Sequence, residues 1–402
     1  MNRLDLSTLK GAVSLAAAPR DLRPRQPLRV ALVTSSYTYI ADGVALTLNR
    51  LVGYLLARGV EVLVFTPVVA RPALVCLGNI VPVPSMALPL RSEYRLSFGL
   101  GGGGARRLEA FEPDIIHVAA PDILGHDALA LGRRLGCPVV ASYHTRYETY
   151  LKFYGLDRLK GLLARRIGHF YGACREVYAP SPSMVDELVA QGAGDNVRLW
   201  ERGVDTERFN PAKRRSSWRE ARGIGAGEVV VTFVGRLVRE KRLETLIATL
   251  SRLREARIGV RPLIVGDGPE ASMLKSALPE ALYTGFLTGD HLADAYANSD
   301  VFLFPSDTET FGNVTLEAMA SGLPTVCADA TGSRSLVDPG VTGFLADSAD
   351  SAAFFHRVSE LVEDVTLQRR MGAAARARSL LFSWDEAMAG ILSRYETLAA
   401  AA

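Results

Sequence analysis

The stretch VFLFPSDTETFGNVTLEAMAS, residues 301–321, contains one complete unit of an α/β fold. Its first four residues are all apolar, which is typical of a strand buried on both faces of a parallel sheet. A polar loop with Gly312 follows, and residues 313–321 then have the composition and length of a helix. A buried strand, a glycine-containing loop and a helix are the units from which doubly wound sheets are built.

The same alternation of apolar runs and helical stretches recurs along the chain in two cycles. The first cycle begins with LRVALVTSS at residues 28–36, and the second begins near Val229. The polar segment RGVDTERFNPAKRRSS, residues 202–217, separates them. We therefore predict an α/β fold with two doubly wound, Rossmann-like domains at 28–207 and 208–384, preceded by an N-terminal extension at 1–27. Ligands of such sheets bind at the carboxyl ends of the strands, so the site is expected in the cleft between the domains.

Composition excludes several classes of protein. The chain has 402 residues with a formal net charge of +3, 48% hydrophobic and 22% charged residues. Its 36 glycines and 4 cysteines are too few for a collagen-like or disulfide-rich protein, and its hydrophobic content is too high for a disordered one. Charged residues interrupt every apolar run before the length of about 18–20 residues that a membrane helix needs. A protein that spans the bilayer is therefore not expected, whereas the composition is compatible with a protein that docks on a membrane surface.

The cysteines and the N-terminal segment indicate a reducing compartment. The four cysteines are far apart in sequence and form no CxxC pair, which argues against a zinc module or a disulfide framework. The segment GAVSLAAA, residues 11–18, faintly resembles the core of a signal peptide. Because Asp5 lies in the would-be basic region and the apolar stretch is short, we interpret residues 1–27 as a loosely attached extension.

The loop and helix start at residues 309–317 form the strongest candidate site. Gly312 allows a ligand to approach the backbone, and the free N–H groups at the helix start favour an anion. Glu309 and Glu317 flank this point, and two carboxylates suit a ligand that is rich in hydroxyl groups. The alternative is that both glutamates are solvated partners of the helix dipole.

Two further loops lie at strand ends of the second cycle. Arg236 and Lys241 follow the strand near 229–234, and two cations at this spacing suit a diphosphate. The alternative is that both are exposed surface residues that flank Glu240. The segment VGDGPE, residues 265–270, turns sharply at its glycines, but neither a P-loop nor a GxGxxG fingerprint occurs at a suitable place. A dinucleotide cofactor is therefore not expected.

The first cycle offers fewer polar residues at strand ends. Gly43 lies at a junction of loop and helix that faces the predicted cleft, and His117 and His144 each follow a strand. A single histidine in such a place can also be a purely structural residue. The six histidines have no spacing typical of metal ligands, so we predict that no metal is required.

Four segments together resemble a known family. They are ETFGNVTLEAMASGLP at 309–324, VGRLVREKRLETLI at 234–247, VGDGPE at 265–270 and RGVDTERFNP at 202–211. They resemble retaining glycosyltransferases of the GT-B fold, in particular phosphatidylinositol mannosyltransferases, sulfoquinovosyltransferases and GDP-mannose-dependent α-mannosyltransferases. The resemblance covers about residues 28–395, and it implies that the C-terminal helix, residues 385–402, packs back on the first domain.

The resemblance also implies roles for individual residues. Arg236 and Lys241 would bind the donor diphosphate with Gly43 beside it, Glu317 would bind the ribose, and Gly285 and Phe286 would lie near the base. The transferred sugar would be held by Glu309 and the amides of Phe311, Gly312 and Asn313, with His144 beside it. The cations and amides would stabilise the negative charge on the leaving diphosphate, so neither a metal nor another cofactor is needed beyond the nucleotide sugar as co-substrate. Glu309 would orient the sugar rather than attack it.

The resemblance leaves the donor and the acceptor open. We rank GDP-mannose ahead of UDP-sugars as the expected donor, and a membrane lipid or glycolipid ahead of a soluble or polysaccharide acceptor. A GT-B sugar-nucleotide epimerase and a protein that only binds a nucleotide sugar are the alternatives, while nucleic acid is not an expected partner. Lys and Arg outnumber Asp and Glu in residues 1–207, and the segment 150–172 mixes basic and apolar residues. This segment predicts either docking on an anionic membrane from the cytoplasm or an ordinary solvated helix face.

Overall fold

A computed structural model describes residues 27–40, 42–88, 91–144 and 160–402. Residues 150–159 of the basic segment singled out above lie outside these ranges, as do residues 1–26. Within them the strands are β1 Arg29–Val33, β2 Glu61–Thr66, β3 Asn79–Pro82, β4 Ser85–Leu88, β5 Arg91–Ser97, β6 Ile115–Val118, β7 Val139–Ser142, β8 Glu176–Ala179, β9 Val197–Leu199, β10 Val229–Val234, β11 Val260–Val265, β12 Leu282–Gly285, β13 Val301–Phe304, β14 Thr325–Ala328 and β15 Gly343–Ala346.

The α-helices of the same ranges alternate with the strands. They are α1 Gly43–Leu56, α2 Gly101–Phe111, α3 Ile123–Leu135, α4 Lys160–Gly172, α5 Pro182–Ala190, α6 Ser216–Glu220, α7 Leu243–Glu255, α8 Ala271–Ala277, α9 Gly289–Ala297, α10 Asn313–Ala320, α11 Thr331–Leu336, α12 Ser351–Glu363, α13 Val365–Ser379 and α14 Trp384–Ala400. Short 3-10 helices occur at Pro211–Lys213 and Arg239–Lys241. None of the described helices is long and apolar enough to cross a membrane.

Two parallel sheets organise the molecule, as the continuous apolar runs predict. The first sheet has the strand order β3-β2-β1-β6-β7-β8-β9, and the second has the order β12-β11-β10-β13-β14-β15. In both sheets the central strands are buried on both faces, as in β6 and β13, where every residue is buried. The prediction of two doubly wound sheets is therefore confirmed.

Local sequence explains where many of the helices begin and end. Asp42 accepts hydrogen bonds from the N–H groups of Val44 and Ala45 and so caps α1. Asp122 caps α3 in the same way, and Gly136 ends that helix in a left-handed conformation. These caps fix the starts of α1 and α3, the helices that follow β1 and β6 in the chain.

The structure adds elements that the apolar pattern did not predict. An antiparallel hairpin joins β4 to β5, and its strands are partly polar, so they lack the continuous apolar run of a buried strand. The run Gly101–Gly104, which has no side chains to show a pattern, forms the first turn of α2. Helix α2 then buries Leu108.

The last helix packs against the first sheet. Met388, Ile391 and Tyr395 of α14 belong to the same apolar cluster as Val30 of β1 and Ile115 of β6. Two segments therefore cross between the halves. Residues 202–204 form the first crossing, and residues 380–384, which lead into α14, form the second.

The two crossings run side by side. The N–H of Val204 donates to the carbonyl of Phe382 at 3.1 Å, and a Cβ on Gly203 would lie 2.2 Å from the backbone nitrogen of Trp384. The guanidinium of Arg50 covers the Trp384 ring at 4.7 Å. Any change in the angle between the halves must therefore bend residues 203–204 and 382–384 together.

Candidate active site

The candidate site lies where the strand order reverses in each sheet. In the first sheet the reversal lies between β1 and β6, and in the second it lies between β10 and β13. Loops that follow these strands leave a crevice, which is where open α/β sheets bind ligands. The residues predicted for the site come from these loops and from their neighbours.

An ion pair of Lys241 and Glu309 forms the charged centre of the second half. Their side chains are in direct contact, and both are about one-fifth exposed. The hydroxyl of Ser306 also donates to Glu309, at 3.3 Å. The next residue, Arg242, has a left-handed backbone and binds Asp307 through Nη2 at 2.6 Å, which fixes the loop beside the ion pair. The structure thus brings together two residues that lie 68 positions apart.

Gly312 allows the loop after β13 to turn into helix α10. Its φ of +98° lies in the left-handed region, which side chains with a Cβ adopt at a cost. The helix start that follows has unpaired backbone N–H groups, because the first turn of any helix lacks intrahelical acceptors. With Lys241 nearby, this start suits the negative charge of a diphosphate or the hydroxyl groups of a sugar.

Asn313 and Gly43 meet across the cleft. A Cβ on Gly43 would lie 3.2 Å from the side-chain nitrogen of Asn313, so the starts of α1 and α10 approach each other closely. The Oδ1 atom of Asn313 is buried, and none of the described residues donates to it. This oxygen is therefore positioned to accept a hydrogen bond from a ligand in the cleft.

Arg236 occupies the loop after β10. This loop packs tightly on the loop after β11, since a Cβ on Gly266 would lie 1.9 Å from the carbonyl oxygen of Gly235. Arg236 is half-buried and its charge acts on Asp42, the cap of α1 in the other half. Burial raises the pKa of Asp42, and the positive charge of Arg236 lowers it in part. The two predicted diphosphate cations, Arg236 and Lys241, thus lie in one segment, which connects β10 to α7.

Glu317 lies on α10, one turn after the helix start at Asn313. The phenol of Tyr296 donates to its Oε2 at 3.2 Å. Burial raises the pKa of Glu317 to about 7, and the hydrogen bond from Tyr296 opposes that shift. A carboxylate in this environment gains from two further donors, such as the two hydroxyls of a ribose.

The remaining predicted contacts of the second half fall into two environments. Gly285 ends β12 with a φ of +71°, and Phe286, which follows it, is exposed and so accessible to a base. Phe311 is buried instead and packs edge-to-face on Phe382 of the second crossing. The Phe311 side chain therefore supports the loop, and only its backbone amide remains as a contact for a ligand.

His144 belongs to a buried chain of hydrogen bonds. Its Nε2 lies 2.7 Å from the hydroxyl of Ser142, which lies 2.8 Å from Nε2 of His117. The Nδ1 atom of His117 contacts the phenol of Tyr395 on α14. Nδ1 of His144 lies 3.2 Å from the guanidinium of Arg202. The chain thus links the first crossing, the centre of the first sheet and the last helix.

The order of donors along this chain follows from Arg202. A guanidinium can only donate, so Nδ1 of His144 accepts and its Nε2 carries the proton. Ser142 then accepts from His144 and donates to His117. Burial, together with the charge of Arg202, lowers the pKa of both histidines, to about 3 for His117 and well below the usual value for His144, so both are neutral. Both ring nitrogens of His144 are used within the protein, and its predicted contact with the sugar stays a prediction.

Hydrogen bonds between the halves surround the site. Ser181 donates to the carbonyl of Thr310 at 3.0 Å, and Ser183 donates to that of Thr331 at 2.7 Å. Thr310 donates in turn to the carbonyl of His144 at 3.0 Å. The loop that carries Glu309 is therefore held by the first half as well as by its own sheet.

The fold and the polar cleft define a GT-B glycosyltransferase, and comparisons with known proteins agree. The chain matches the model for glycosyl transferases group 1 over residues 228–364 and that for glycosyltransferase family 4 over residues 41–208. It is 35% identical to a GDP-mannose-dependent alpha-mannosyltransferase of Corynebacterium glutamicum, over 92% of this chain and 89% of that protein. It is 34% identical to a sulfoquinovosyl transferase of Arabidopsis thaliana, over 90% and 72% of the two chains.

A solved structure shows the same fold. Sucrose-phosphate synthase from Thermosynechococcus elongatus superposes with a TM-score of 0.74 at 21% identity, covering 93% of this chain and all of that one. The chain therefore belongs to the group 1 glycosyltransferases of the GT-B fold, and it is an enzyme that acts on sugar nucleotides. The resemblance inferred from the four sequence segments is confirmed.

Sequence reasoning missed the residues that support the site. The glutamate–lysine pair was expected as two separate contacts, and neither its neighbour Ser306 nor the adjacent ion pair of Arg242 with Asp307 was singled out. Ser142 and Tyr395 gave no signal, because they lie far apart in sequence and meet only in the folded protein. The position of Arg202 in RGVDTERFNP was a hint that this motif has a role beyond linking the domains.

Proposed function

We propose that this enzyme is a retaining, metal-independent hexosyltransferase that uses a nucleoside-diphosphate sugar, with GDP-mannose as the leading donor. The contact of Lys241 with Glu309 at the start of α10 carries this proposal. It places one cation and one carboxylate at a helix start that suits an anion. These are the groups that a sugar diphosphate requires on either side of the bond that breaks.

The donor diphosphate would bind to Arg236, to Lys241 and to the backbone N–H groups at the start of α10. As the glycosidic bond breaks, negative charge builds up on the leaving phosphate. Fixed cations and amides stabilise that charge without having to reorganise, which lowers the barrier. Among the described residues, no group of three or more His, Cys, Asp or Glu could hold a metal ion, so these cations are the proposed source of stabilisation.

The transferred sugar would lie between Glu309 and the amides of Phe311, Gly312 and Asn313. Glu309 then exchanges its contact with Lys241 for sugar hydroxyls, while Lys241 turns to the diphosphate. The unpaired oxygen of Asn313 supplies one further acceptor. Glu317 would hold the ribose and Phe286 would lie against the base.

Retention of configuration would follow from attack on the same face that the leaving group departs from. In this proposal the leaving phosphate accepts the proton of the acceptor hydroxyl, so no protein nucleophile is needed. Glu309 orients the sugar, and His144 completes the wall of the sugar site from the first half. The wall is rigid because Ser142 and Arg202 hold the His144 ring.

The acceptor would be a membrane lipid or glycolipid, bound on the side of the first domain. The β4–β5 hairpin and the residues after it expose Met86, Leu96 and Phe98, each by more than two-fifths. Exposed apolar side chains next to basic residues such as Arg95 suit an anionic bilayer surface. We therefore expect peripheral binding at the cytoplasmic face. The proposed domains span residues 28–207 and 208–384, and the final helix, 385–402, returns to the first domain.

A donor panel tests the proposed reaction. GDP-mannose, UDP-glucose and related nucleotide sugars are incubated with the enzyme, with and without a lipid extract. We expect release of the nucleoside diphosphate from one donor only when lipid is present, and a product with the anomeric configuration of the donor. Three results would contradict the proposal. They are release of the nucleoside diphosphate that does not depend on an acceptor, a product with inverted anomeric configuration, and a new nucleotide sugar, which an epimerase would give.

Vesicle co-sedimentation tests the acceptor side separately. The wild-type enzyme should sediment with vesicles that contain anionic lipid and not with neutral ones. Replacement of Leu96 and Phe98 by serine should reduce that binding, while the same change at the exposed Leu380 and Leu381, in the second crossing, should not. Equal binding to both kinds of vesicle would remove the support for docking, and the donor reaction would remain testable with a soluble acceptor.

A further inference from the structure

A cavity of about 400 Å³ lies beside the two crossings, apart from the donor cleft. Residues 198–202, which lead into the first crossing, form one wall, and residues 381–383 of the second crossing form another. The third wall is a face of α14 with Glu386, Gly390 and Arg394. None of the residues proposed above to touch the donor lines this cavity.

Trp200 brings an unpaired donor to the cavity wall. It is 2% exposed, and its indole N–H has no hydrogen-bond partner among the described residues. The ring packs edge-to-face on His117, His144 and Tyr178, so its position is fixed. A buried donor without an acceptor is unfavourable, and a ligand with a hydrogen-bond acceptor would relieve that penalty.

Arg202 brings a buried positive charge to the same wall. It is 4% exposed, it stacks on the Trp200 ring at 4.2 Å, and it donates to the carbonyl of Trp200 at 2.9 Å and to His144. No carboxylate in the described part of the chain forms an ion pair with it. Burial lowers the pKa of Arg202 to about 9. A buried guanidinium normally has an anionic partner.

The rest of the lining is balanced in formal charge and partly apolar. Arg394 and Arg198 share a single carboxylate, that of Glu176. The exposed Glu201 and Glu386 offset Arg198 and Arg394, which are also exposed to solvent, so the buried Arg202 is the charge that water screens least. Apolar side chains, among them Ile391, cover the remaining wall. The lining therefore combines a cationic end with an apolar one.

We propose that this cavity binds a small organic anion, a phosphate monoester or carboxylate with a short apolar part, whose charged group accepts hydrogen bonds from Arg202 and from the Trp200 indole. The volume matches that of small-molecule sites. Because both crossings line the cavity, a bound anion connects them and restricts the movement of one half against the other. The hydrogen bond from Arg202 to His144 extends this effect to the cleft. The inference does not depend on the identity of the donor sugar.

The indole N–H signals of the three tryptophans report binding directly. Protein labelled with ¹⁵N-tryptophan is titrated with phenyl phosphate, benzoate and inorganic phosphate, and Trp200→Phe assigns the signal. We expect phenyl phosphate or benzoate to move the Trp200 signal downfield, as a new acceptor should, while Trp218 in the second half does not move. Inorganic phosphate, which lacks the apolar part, should bind at least about tenfold more weakly.

Gly390→Phe blocks the cavity without disturbing the fold. A Cβ at this position meets no atom within 4 Å, and replacing a helix glycine removes an entropic cost. This variant should weaken binding at least about tenfold, whereas Ala389→Phe, one residue away on an exposed position outside the lining, should leave it within about twofold.

Lys241→Ala separates this site from the donor cleft. If the anion binds in the cavity, the shift of Trp200 persists in Lys241→Ala and disappears in Gly390→Phe. No shift at saturating anion, a shift that Gly390→Phe does not change, or a shift that Lys241→Ala abolishes would each overturn the proposal.

Discussion

The two halves of the cleft are built in different ways. In the second half the site comes from short segments of sequence. Glu309, Gly312 with its left-handed backbone, and Glu317 all lie within the nine residues 309–317. In the first half the polar residues are spread over 278 positions, from His117 to Tyr395, and meet only in the folded protein. The first kind of site uses loop backbone and charge, while the second uses buried neutral groups.

This difference separates two tasks. In the proposed mechanism the second half binds the charged donor group, a task for which cations, helix N–H groups and closely approachable loops are suited. The buried chain in the first half has neutral histidines and serves to hold one side-chain wall in place. Substitutions in the second half should therefore act on turnover, and those in the buried chain should act first on stability.

Lys241→Ala is expected to have the largest effect. Removal of a cation that stabilises the leaving diphosphate should lower kcat by about 10²–10³-fold, measured by release of the nucleoside diphosphate. The matched control is Arg239→Ala, which removes an exposed cation from the same 3-10 helix and should change kcat by less than about twofold. Equal losses in both variants would mean that the segment tolerates no change and that the charge of Lys241 has no special role.

Gly312→Ala should lower kcat/KM by about ten- to a hundredfold. A side chain strains the left-handed backbone and moves the amides at the start of α10. Gly340→Ala is the control, since Gly340 has a φ of +81° and open space around its Cβ position, in the loop that precedes β15. Both variants should lose about 1 kcal/mol of stability, and only Gly312→Ala should lose activity. Similar activities would show that the loop backbone does not contact the donor.

Ser142→Ala should destabilise the protein by about 1–3 kcal/mol, because it leaves the neighbouring nitrogens of two buried histidines without a partner. Chemical denaturation measures this loss. Ser276→Ala removes an exposed hydroxyl that bonds only to the carbonyl of Ser272, and it should be neutral. If Ser142→Ala unfolds at the same denaturant concentration as the wild type, the chain from His117 to His144 does not stabilise the fold.

Glu317→Gln should show the smallest effect, and one that depends on pH. Burial raises the pKa of Glu317 to about 7. The stability that the protonated side chain contributes is therefore fully present below the pKa of the unfolded state, near 4.5, and is lost as the pH rises through 7. The glutamine resembles the neutral form at every pH. The variant should therefore be close to the wild type at pH 4, where Glu317 is mostly neutral in both states, and should exceed its stability by a growing margin as the pH rises through 7. A difference that does not change with pH would contradict the assigned environment of Glu317.

The sequence predicts the fold well because both sheets are parallel. Strands buried on both faces, such as Ile115–Val118 and Val301–Phe304, appear as continuous apolar runs, and their order constrains the topology. The hairpin Ser85–Ser97 and helix α2 could not be predicted in this way. The hairpin has a mixed pattern, and the glycines at 101–104 provide no side chains from which a helical period could be recognised.

The site is predictable only where its residues are close in sequence. Glu309, Gly312 and Glu317 lie within one strand–loop–helix unit, so their meeting follows from local structure. The partnership of Lys241 with Glu309 requires that β10 and β13 are neighbours, and the contact of Ser142 with two histidines requires the packing of a whole sheet. Long-range contacts of this kind depend on the tertiary fold, and no local pattern encodes them.

The most direct test of the account is the turnover of Glu309→Gln, measured together with its affinity for the nucleoside diphosphate. The account assigns Glu309 to the sugar and Lys241 to the diphosphate, and in this structure the two neutralise each other. The amide should therefore bind the diphosphate at least as tightly as the wild type, while kcat falls by about 10²-fold or more. Turnover close to that of the wild type would contradict the role of Glu309 and, with it, the proposed geometry of the site.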